Sequence, residues 1–262
     1  MLRIFSYLPN PRVWKAQIAG ALNGASVEVV GAKPPELATW LWDYDARPLP
    51  EAERSDDSPY ARQSKRGFSA TLFKTDEFLA AHPFGTVPAA FAGDAQTGIF
   101  ESNSILRAVA RAGDEAQLYG HTPEEASRID SFLDANLVFA REAQVYLLGM
   151  NDMSAHVHDR MAQAYEFYLT GIESALQSGD YLVGDTLSIA DISFVCDFSQ
   201  FLREGHYEEA LGEAGLSLIS ANGPEEYPRA YQHMLDLSAS EPFAQFMGTY
   251  LRWYRDKLAA GA

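Results

Sequence analysis

Apolar and polar residues follow two different periods in the first part of the chain, and these periods predict strands and a helix. Leu2–Tyr7 has the pattern of a buried strand, and Val27–Val30 has the pattern of a second one. Between them, Asn10 and Pro11 form a helix start, with an N-cap residue followed by a proline at the first helical position. The apolar residues that share one face of this helix are Trp14, Ile18, Ala21 and Leu22.

The stretch from Phe78 to Ile105 predicts the remaining elements of a small α/β unit. These are a helix that Pro83 ends at His82, a strand Val87–Phe91, a hairpin loop 93–98, a strand Ile99–Phe100 and a helix with Ser102 as its N-cap. The full order is therefore β-α-β-α-β-β-α, which is typical of a thioredoxin-like domain. We assign residues 1–113 to this domain.

An insertion of about residues 34–72 separates the second strand from the helix that ends at His82. It carries Trp40, Trp42 and Tyr44, followed by a polar and charged run from Pro48 to Gly67. A loop of this length without secondary structure is uncommon in a compact domain unless it is a lid, a binding loop or disordered. Two interpretations stay open. The aromatic rings pack on the nearest helix, or they form a wall over a pocket that binds a flat substrate.

After Gly113 the pattern becomes helical, and we assign residues 122–262 to an all-helical domain. Helices are predicted from Thr122 to about Met150, over 153–178, 225–238 and 241–257. Ser188 and Asp191 stand three residues apart before an apolar run, which is the spacing of a capping box. The predicted fold class is thus α/β followed by all-α.

Composition and charge limit the kinds of protein, binding partner and compartment that fit this chain. With 47% apolar residues among 262, the chain is globular, and a formal charge of −16 disfavours nucleic acids and anionic membranes as partners. One cysteine, Cys196, fits a reducing cytoplasm, as does the absence of a signal-peptide pattern at Met1. His156 and His158 do not share a helix face, so we predict no metal site.

Two motifs in the stretch 78–105 contain groups that suit the binding of a ligand. Pro88 opens a predicted strand, and a cis bond to Val87 would turn the main chain of Val87 outward as an exposed edge. Glu101 and Ser102 combine a carboxylate, a hydroxyl and the unpaired N–H groups of a helix start, which together suit the ammonium and carboxylate of an amino-acid-like ligand.

These motifs resemble the glutathione site of the glutathione transferase superfamily. The phrase EFLAAHPFGTVPAAF…FESNSI is closest to the transferase-like domain of the elongation-factor gamma subunit, as is SYLPNPRVWKAQIAGALNG. The resemblance implies the glutathione transferase fold and glutathione as ligand. It implies a glutathione site formed by Thr86, Val87, Pro88, Glu101 and Ser102.

A glutathione transferase must also stabilise the thiolate of glutathione, because a free thiol with a pKa near 8.5 is only slightly ionised at neutral pH. A hydrogen-bond donor near the start of the first helix supplies this stabilisation. Tyr7 best matches the position of the catalytic residue of the family, and Asn10 is the second candidate. The usual Ser-Pro-x-Ser pattern is absent.

Two functions compete on this basis. The first is a glutathione-dependent transferase or lyase in which the thiolate attacks an electrophilic carbon of an aromatic substrate, with Trp40, Trp42 and Tyr44 binding that substrate. Bacterial members of the superfamily cleave β-aryl ethers of lignin-derived compounds, which makes a β-etherase the finer expectation. The second is a non-catalytic protein-interaction module. In either case the resemblance implies a homodimer or a heterodimer with a related subunit.

Overall fold

The computed structural model of the chain describes residues 1–63 and 71–261. The chain divides into two compact units, each described by itself. Unit 1 comprises Met1–Gly20 and Gly24–Gly113, and unit 2 comprises Ala21–Asn23 and Asp114–Ala262.

Unit 1 contains the strands and short helices of the first part of the chain. In chain order these are β1 (Leu2–Tyr7), α1 (Pro11–Asn23), β2 (Val27–Ala32), α2 (Pro34–Leu37), β3 (Trp40–Trp42), β4 (Arg47–Pro48), β5 (Ala61–Gln63), β6 (Thr71–Lys74), α3 (Asp76–Ala81), β7 (Ala89–Phe91), β8 (Gly98–Phe100) and α4 (Ser102–Ala112).

The central sheet of unit 1 has the strand order β2-β1-β7-β8. Strands β1 and β2 are parallel and joined by α1, whereas β7 is antiparallel to β1 and β8 is antiparallel to β7. This arrangement confirms the thioredoxin-like order predicted from the sequence. The predicted start of α1 is also confirmed, since the Oδ1 atom of Asn10 accepts a hydrogen bond from the N–H of Arg12 at 3.0 Å.

The insertion forms a second sheet and is not an irregular loop. Its strand order is β4-β3-β6-β5, with β3 and β6 parallel and the outer pairs antiparallel. Each strand has only two to four residues, so a period-2 pattern could not be recognised in the sequence. Residues 64–70, which include the end of the predicted polar run, lie outside the described residues.

One hydrophobic cluster joins the insertion to the central sheet. Its buried members are Phe5, Leu37, Trp42, Ala46, Leu72, Phe78, Ala89 and Phe91. The ring of Trp42 is 1% exposed and meets Phe5 and Phe78 edge-on, with ring centroids 5.4 and 5.9 Å away. The insertion therefore contributes side chains to the core of unit 1.

Unit 2 is helical within its described residues. Its helices are α5 (Pro123–Leu148), α6 (Ala155–Ala175), α7 (Ile189–Phe201), α8 (Glu208–Glu213), α9 (Gly223–Glu226), α10 (Pro228–Ala239), α11 (Phe243–Met247) and α12 (Arg252–Gly261). The capping box of α7 is confirmed, because the side chain of Ser188 accepts from the main chain of α7 while Asp191 accepts from the N–H of Ser188. The helix predicted over 225–238 is divided at Pro228, which begins α10 as its first residue.

His82 is an unusual member of the unit 1 core. It is 1% exposed, neither ring nitrogen has a hydrogen-bond partner among residues 1–63 and 71–261, and its ring lies 4.7 Å from that of Phe91 and 5.0 Å from that of Phe78. Burial lowers the pKa of His82 from 6.5 to about 4. The folded protein therefore holds this imidazole neutral at pH values where the unfolded chain protonates it.

We expect this histidine to make the stability of the protein depend on pH between about 6.5 and 4. The unfolded state binds more protons than the folded state in this window, so the free energy of unfolding falls as the pH falls. The loss between pH 7.5 and pH 5 should be about 2 kcal/mol. Denaturant unfolding at both values should show that His82→Phe removes this loss. The matched variant His156→Gln, which changes an exposed histidine, should keep it.

Candidate functional site

Three segments with candidate residues reach the same end of the central sheet. Phe5 pairs with Ala89, and Ala89 pairs with Phe100. Strand β1 therefore continues to Tyr7 at the end where β7 begins and β8 leads to Glu101. The topology thus brings together Tyr7, the Thr86-Val87-Pro88 segment and the Glu101-Ser102 pair, which lie far apart in the sequence.

Val87 precedes the hydrogen-bonded part of β7. The Val87–Pro88 peptide bond is cis, and β7 begins only at Ala89. Within residues 1–63 and 71–261, the N–H and C=O of Val87 form no main-chain hydrogen bond. The main chain of Val87 is thus available to pair with an extended peptide.

Glu101 and Ser102 form the start of α4, but their roles differ from the prediction. Ser102 is the first residue of the helix, and Glu101 occupies the N-cap position without a side-chain capping bond. The expectation that Ser102 is the N-cap is therefore wrong. Glu101 has a φ of +66°, a conformation that costs a residue with a side chain about 1–3 kcal/mol. Its side chain is exposed, so the carboxylate is presented to solvent at this end of the sheet.

Two lysines near this end of the sheet had not been singled out in the sequence. The ammonium of Lys15 is buried on α1, 2.8 Å from Oδ1 of Asn103 and 3.4 Å from Oγ of Ser102. Lys15 lies in the buried stripe of α1 with Ile18 and Ala19, and a lysine at such a position is the signal that could have identified it.

Lys74 is the second of these lysines and lies beside the turn before Val87. Its Nζ donates to the carbonyl oxygen of Gly85 at 2.7 Å and lies 4.5 Å above the ring of Trp42. Burial, together with the charge of Arg62, lowers the pKa of Lys74 to about 8. The ammonium is therefore largely retained at neutral pH, and it adds positive charge to this part of a strongly acidic chain.

The two candidates for thiolate stabilisation occupy different environments. Asn10 is 0% exposed, and its amide donates to Oγ of Ser6 while its Oδ1 atom caps α1. A ligand cannot reach this amide, so the proposed catalytic role of Asn10 is corrected to a structural one. Tyr7 is half-buried at the end of β1 and packs at the margin of the hydrophobic cluster, as Val87 does. Tyr7 is the remaining candidate.

The three aromatic residues proposed to bind the substrate also differ in exposure. Trp42 is buried, and its Nε1–H donates to the carbonyl oxygen of Leu37 at 3.0 Å, so its assignment to a substrate wall is corrected to core packing. Trp40 stacks on Phe5 at 6.2 Å and Tyr44 meets Phe91 edge-on at 5.4 Å. Both rings are half-buried at the margin of the cluster.

Within residues 1–63 and 71–261, no group of three or more His, Cys, Asp or Glu side chains is arranged to hold a metal ion. None of the helices in these ranges has the length and apolar character needed to cross a membrane.

The chain is similar in sequence to elongation factor 1-gamma proteins. No protein-family model matches it. The elongation factor 1-gamma proteins of Mus musculus and Homo sapiens are each 29% identical to it over 197 residues, or 74% of this chain. The match covers 37% of each relative, so the chain spans little more than a third of their length.

Solved structures settle the fold. A glutathione S-transferase-like protein from Lodderomyces elongisporus superposes with a TM-score of 0.67 at 17% identity, covering 95% of both chains. A glutathione S-transferase from Methylobacillus flagellatus with GSH bound superposes with a TM-score of 0.64 at 13% identity, covering 94% of this chain and 98% of the other. The fold is that of the glutathione transferases. This confirms the predicted pairing of a thioredoxin-like part with a helical part.

Proposed function

We propose that the protein is a glutathione-dependent transferase or lyase. The observation that carries the proposal is the convergence of Tyr7, Val87 and the Glu101-Ser102 pair at one end of the central sheet. The glutathione transferase fold and the GSH-bound structure of the Methylobacillus flagellatus protein support it.

The groups at this end of the sheet match the functional groups of glutathione. The carboxylate of Glu101 suits the ammonium of the γ-glutamyl residue, since opposite charges form strong hydrogen bonds. The hydroxyl of Ser102 and the first N–H groups of α4 suit the α-carboxylate of that residue. The main chain of Val87 suits the peptide groups of the cysteine.

In the proposed reaction, the hydroxyl of Tyr7 donates a hydrogen bond to the sulfur of glutathione and favours the thiolate. The sulfur then attacks an electrophilic carbon of the second substrate and forms a carbon–sulfur bond. The bond to the leaving group breaks, and the leaving group departs with the electron pair as a halide or a phenolate. A phenolate leaving group corresponds to cleavage of a β-aryl ether.

We expect Glu101→Ala to weaken glutathione binding by about 1.5–3 kcal/mol, because the ammonium of the ligand loses a charged partner. Isothermal titration calorimetry measures this change. The matched control is Glu77→Ala, which removes an exposed carboxylate from α3 and should leave the affinity unchanged. Equal affinities for Glu101→Ala and the unsubstituted chain would rule out this ligand orientation.

The aromatic substrate is the finer part of the proposal. Trp40 and Tyr44 are the half-buried rings of the insertion, and we propose that their exposed edges contact the second substrate. Replacing both with Ala should raise the KM for chloronitrobenzene about three- to tenfold, as expected for the loss of about one ring contact of 0.5–1.5 kcal/mol. Glutathione affinity should stay within twofold. A parallel assay with a β-aryl ether model compound tests the lyase reaction.

The alternative function is a non-catalytic interaction module in the cytoplasm. The sequence similarity to elongation factor 1-gamma favours it, and so does an open groove of about 540 Å³ on unit 2, lined by residues that include Phe132, Phe167 and Tyr168. Turnover distinguishes the two functions. A chain that binds a partner subunit and shows no activity on either aromatic substrate would be the module, and sedimentation would show whether it forms a homodimer or a heterodimer.

A further inference from the structure

The buried ammonium of Lys15 forms an unusual pair of contacts with the start of α4. Lys15 is 0% exposed, and its Nζ atom donates to Oδ1 of Asn103 at 2.8 Å and to Oγ of Ser102 at 3.4 Å. Lys15 and Ser102 are 87 positions apart in the chain. The contact therefore depends on the packing of α1 against the start of α4.

These contacts determine how Ser102 can bind a ligand. An ammonium has only donors, so the oxygen of Ser102 acts as the acceptor toward Lys15. The hydroxyl proton of Ser102 must then point to another acceptor, and within the described ranges of the chain no protein atom accepts it. Ser102 is 9% exposed, so a small part of its surface stays accessible at the start of α4.

The positive charge of Lys15 also favours binding of a negatively charged group next to Ser102. A buried ammonium is weakly screened by salt, and it adds to the positive end of the α4 dipole. Both effects favour an anion beside the hydroxyl of Ser102. Lys15 itself is too deeply buried to touch that anion.

We propose that Lys15 is a positioning residue of the glutathione site, which orients the hydroxyl of Ser102 toward the α-carboxylate of the γ-glutamyl residue and supplies positive charge behind it. This inference rests on the proposed function. It adds a specific requirement, namely that the site selects a free α-carboxylate through a lysine that does not contact the ligand.

The test compares two probes by calorimetry, glutathione and a glutathione derivative whose γ-glutamyl α-carboxylate is converted to a primary amide. The unsubstituted chain should bind glutathione more tightly than the amide. Lys15→Met, which has a similar shape and no charge, should reduce this preference about tenfold, equivalent to about 1.4 kcal/mol. The control Lys33→Met removes an exposed lysine of unit 1 and should keep the preference. A merely structural lysine would weaken both probes equally, and that result would overturn the proposal.

If Lys15→Met does not fold, Asn103→Asp gives the ammonium a carboxylate partner and neutralises its charge, so it should also reduce the preference for glutathione over the amide. An unchanged preference in Asn103→Asp would overturn the proposal.

The double variant Lys15→Met, Ser102→Ala should lose less affinity than the sum of the single changes, because both act on one contact. Failure of the unsubstituted chain to bind either probe would overturn the proposed function and this inference with it, whereas binding without the predicted preference would overturn the inference alone.

Discussion

Replacing Asp191 by Ala is expected to lower the free energy of unfolding by about 3–5 kcal/mol, because it removes a buried carboxylate that several donors share. Asp191 is 0% exposed. It accepts from the N–H of Leu182 at 2.9 Å, from the N–H and hydroxyl of Ser188 at 2.9 and 2.8 Å, and it lies 3.0 Å from Nε2 of His233. The substitution would leave these groups buried without their common acceptor.

Two variants calibrate this prediction in chemical denaturation. Ser188→Ala keeps the carboxylate and loses only the hydroxyl of the capping box, so it should cost about 0.5–2 kcal/mol. Asp185→Ala removes an exposed carboxylate of the same segment and should change stability by less than about 0.5 kcal/mol. If Asp191→Ala cost no more than Ser188→Ala, the carboxylate would not be the organising acceptor of this segment.

Replacing Tyr7 by Phe is expected to raise the midpoint of the pH dependence of kcat/KM by about one to two pH units. The change keeps the ring at the margin of the hydrophobic cluster and removes only the hydroxyl that we propose donates to the sulfur. Because each pH unit corresponds to a tenfold change in thiolate population below the midpoint, turnover at pH 6 should fall about ten- to hundredfold.

The control for this experiment is Tyr60→Phe, which removes the hydroxyl of an exposed tyrosine of unit 1 that lies outside the proposed site. It should leave the midpoint where it is. A Tyr7→Phe enzyme with an unmoved midpoint would show that the thiolate is stabilised by another group at this end of the sheet, with the main-chain N–H groups at the start of α1 as the next candidates.

Features encoded in a few neighbouring residues could be predicted from the sequence. Asn10 before Pro11 specifies the start of α1, and Ser188 with Asp191 specifies the start of α7, because the donor and acceptor lie within one helical turn. The order of strands and helices in unit 1 followed from such signals and from the period of the apolar residues. The apolar period alone predicts one continuous helix over 225–238 and misses that Pro228 begins α10 as a separate helix.

Features that depend on distant contacts could not be predicted. The parallel pairing of β3 with β6 joins Leu41 to Phe73 across the whole insertion. The preference of serine for N-cap positions suggested Ser102, but the chain enters α4 through Glu101 in a positive-φ conformation that no local propensity favours. The position of Lys15 in the buried stripe of α1 marks it as unusual, but its partners Ser102 and Asn103 become evident only when α4 packs against α1.

Titration of ¹⁵N-labelled protein with glutathione, followed through the amide resonances of unit 1, shows directly whether the ligand binds at Val87 and the start of α4. Binding at the proposed site should shift the amides of Val87 and Ser102, because the ligand pairs with one and approaches the other. The amide of Gly93, beyond the opposite end of β7, should stay where it is. Shifts at Gly93 with none at Val87 and Ser102, or no shifts at millimolar glutathione, would contradict the proposed site.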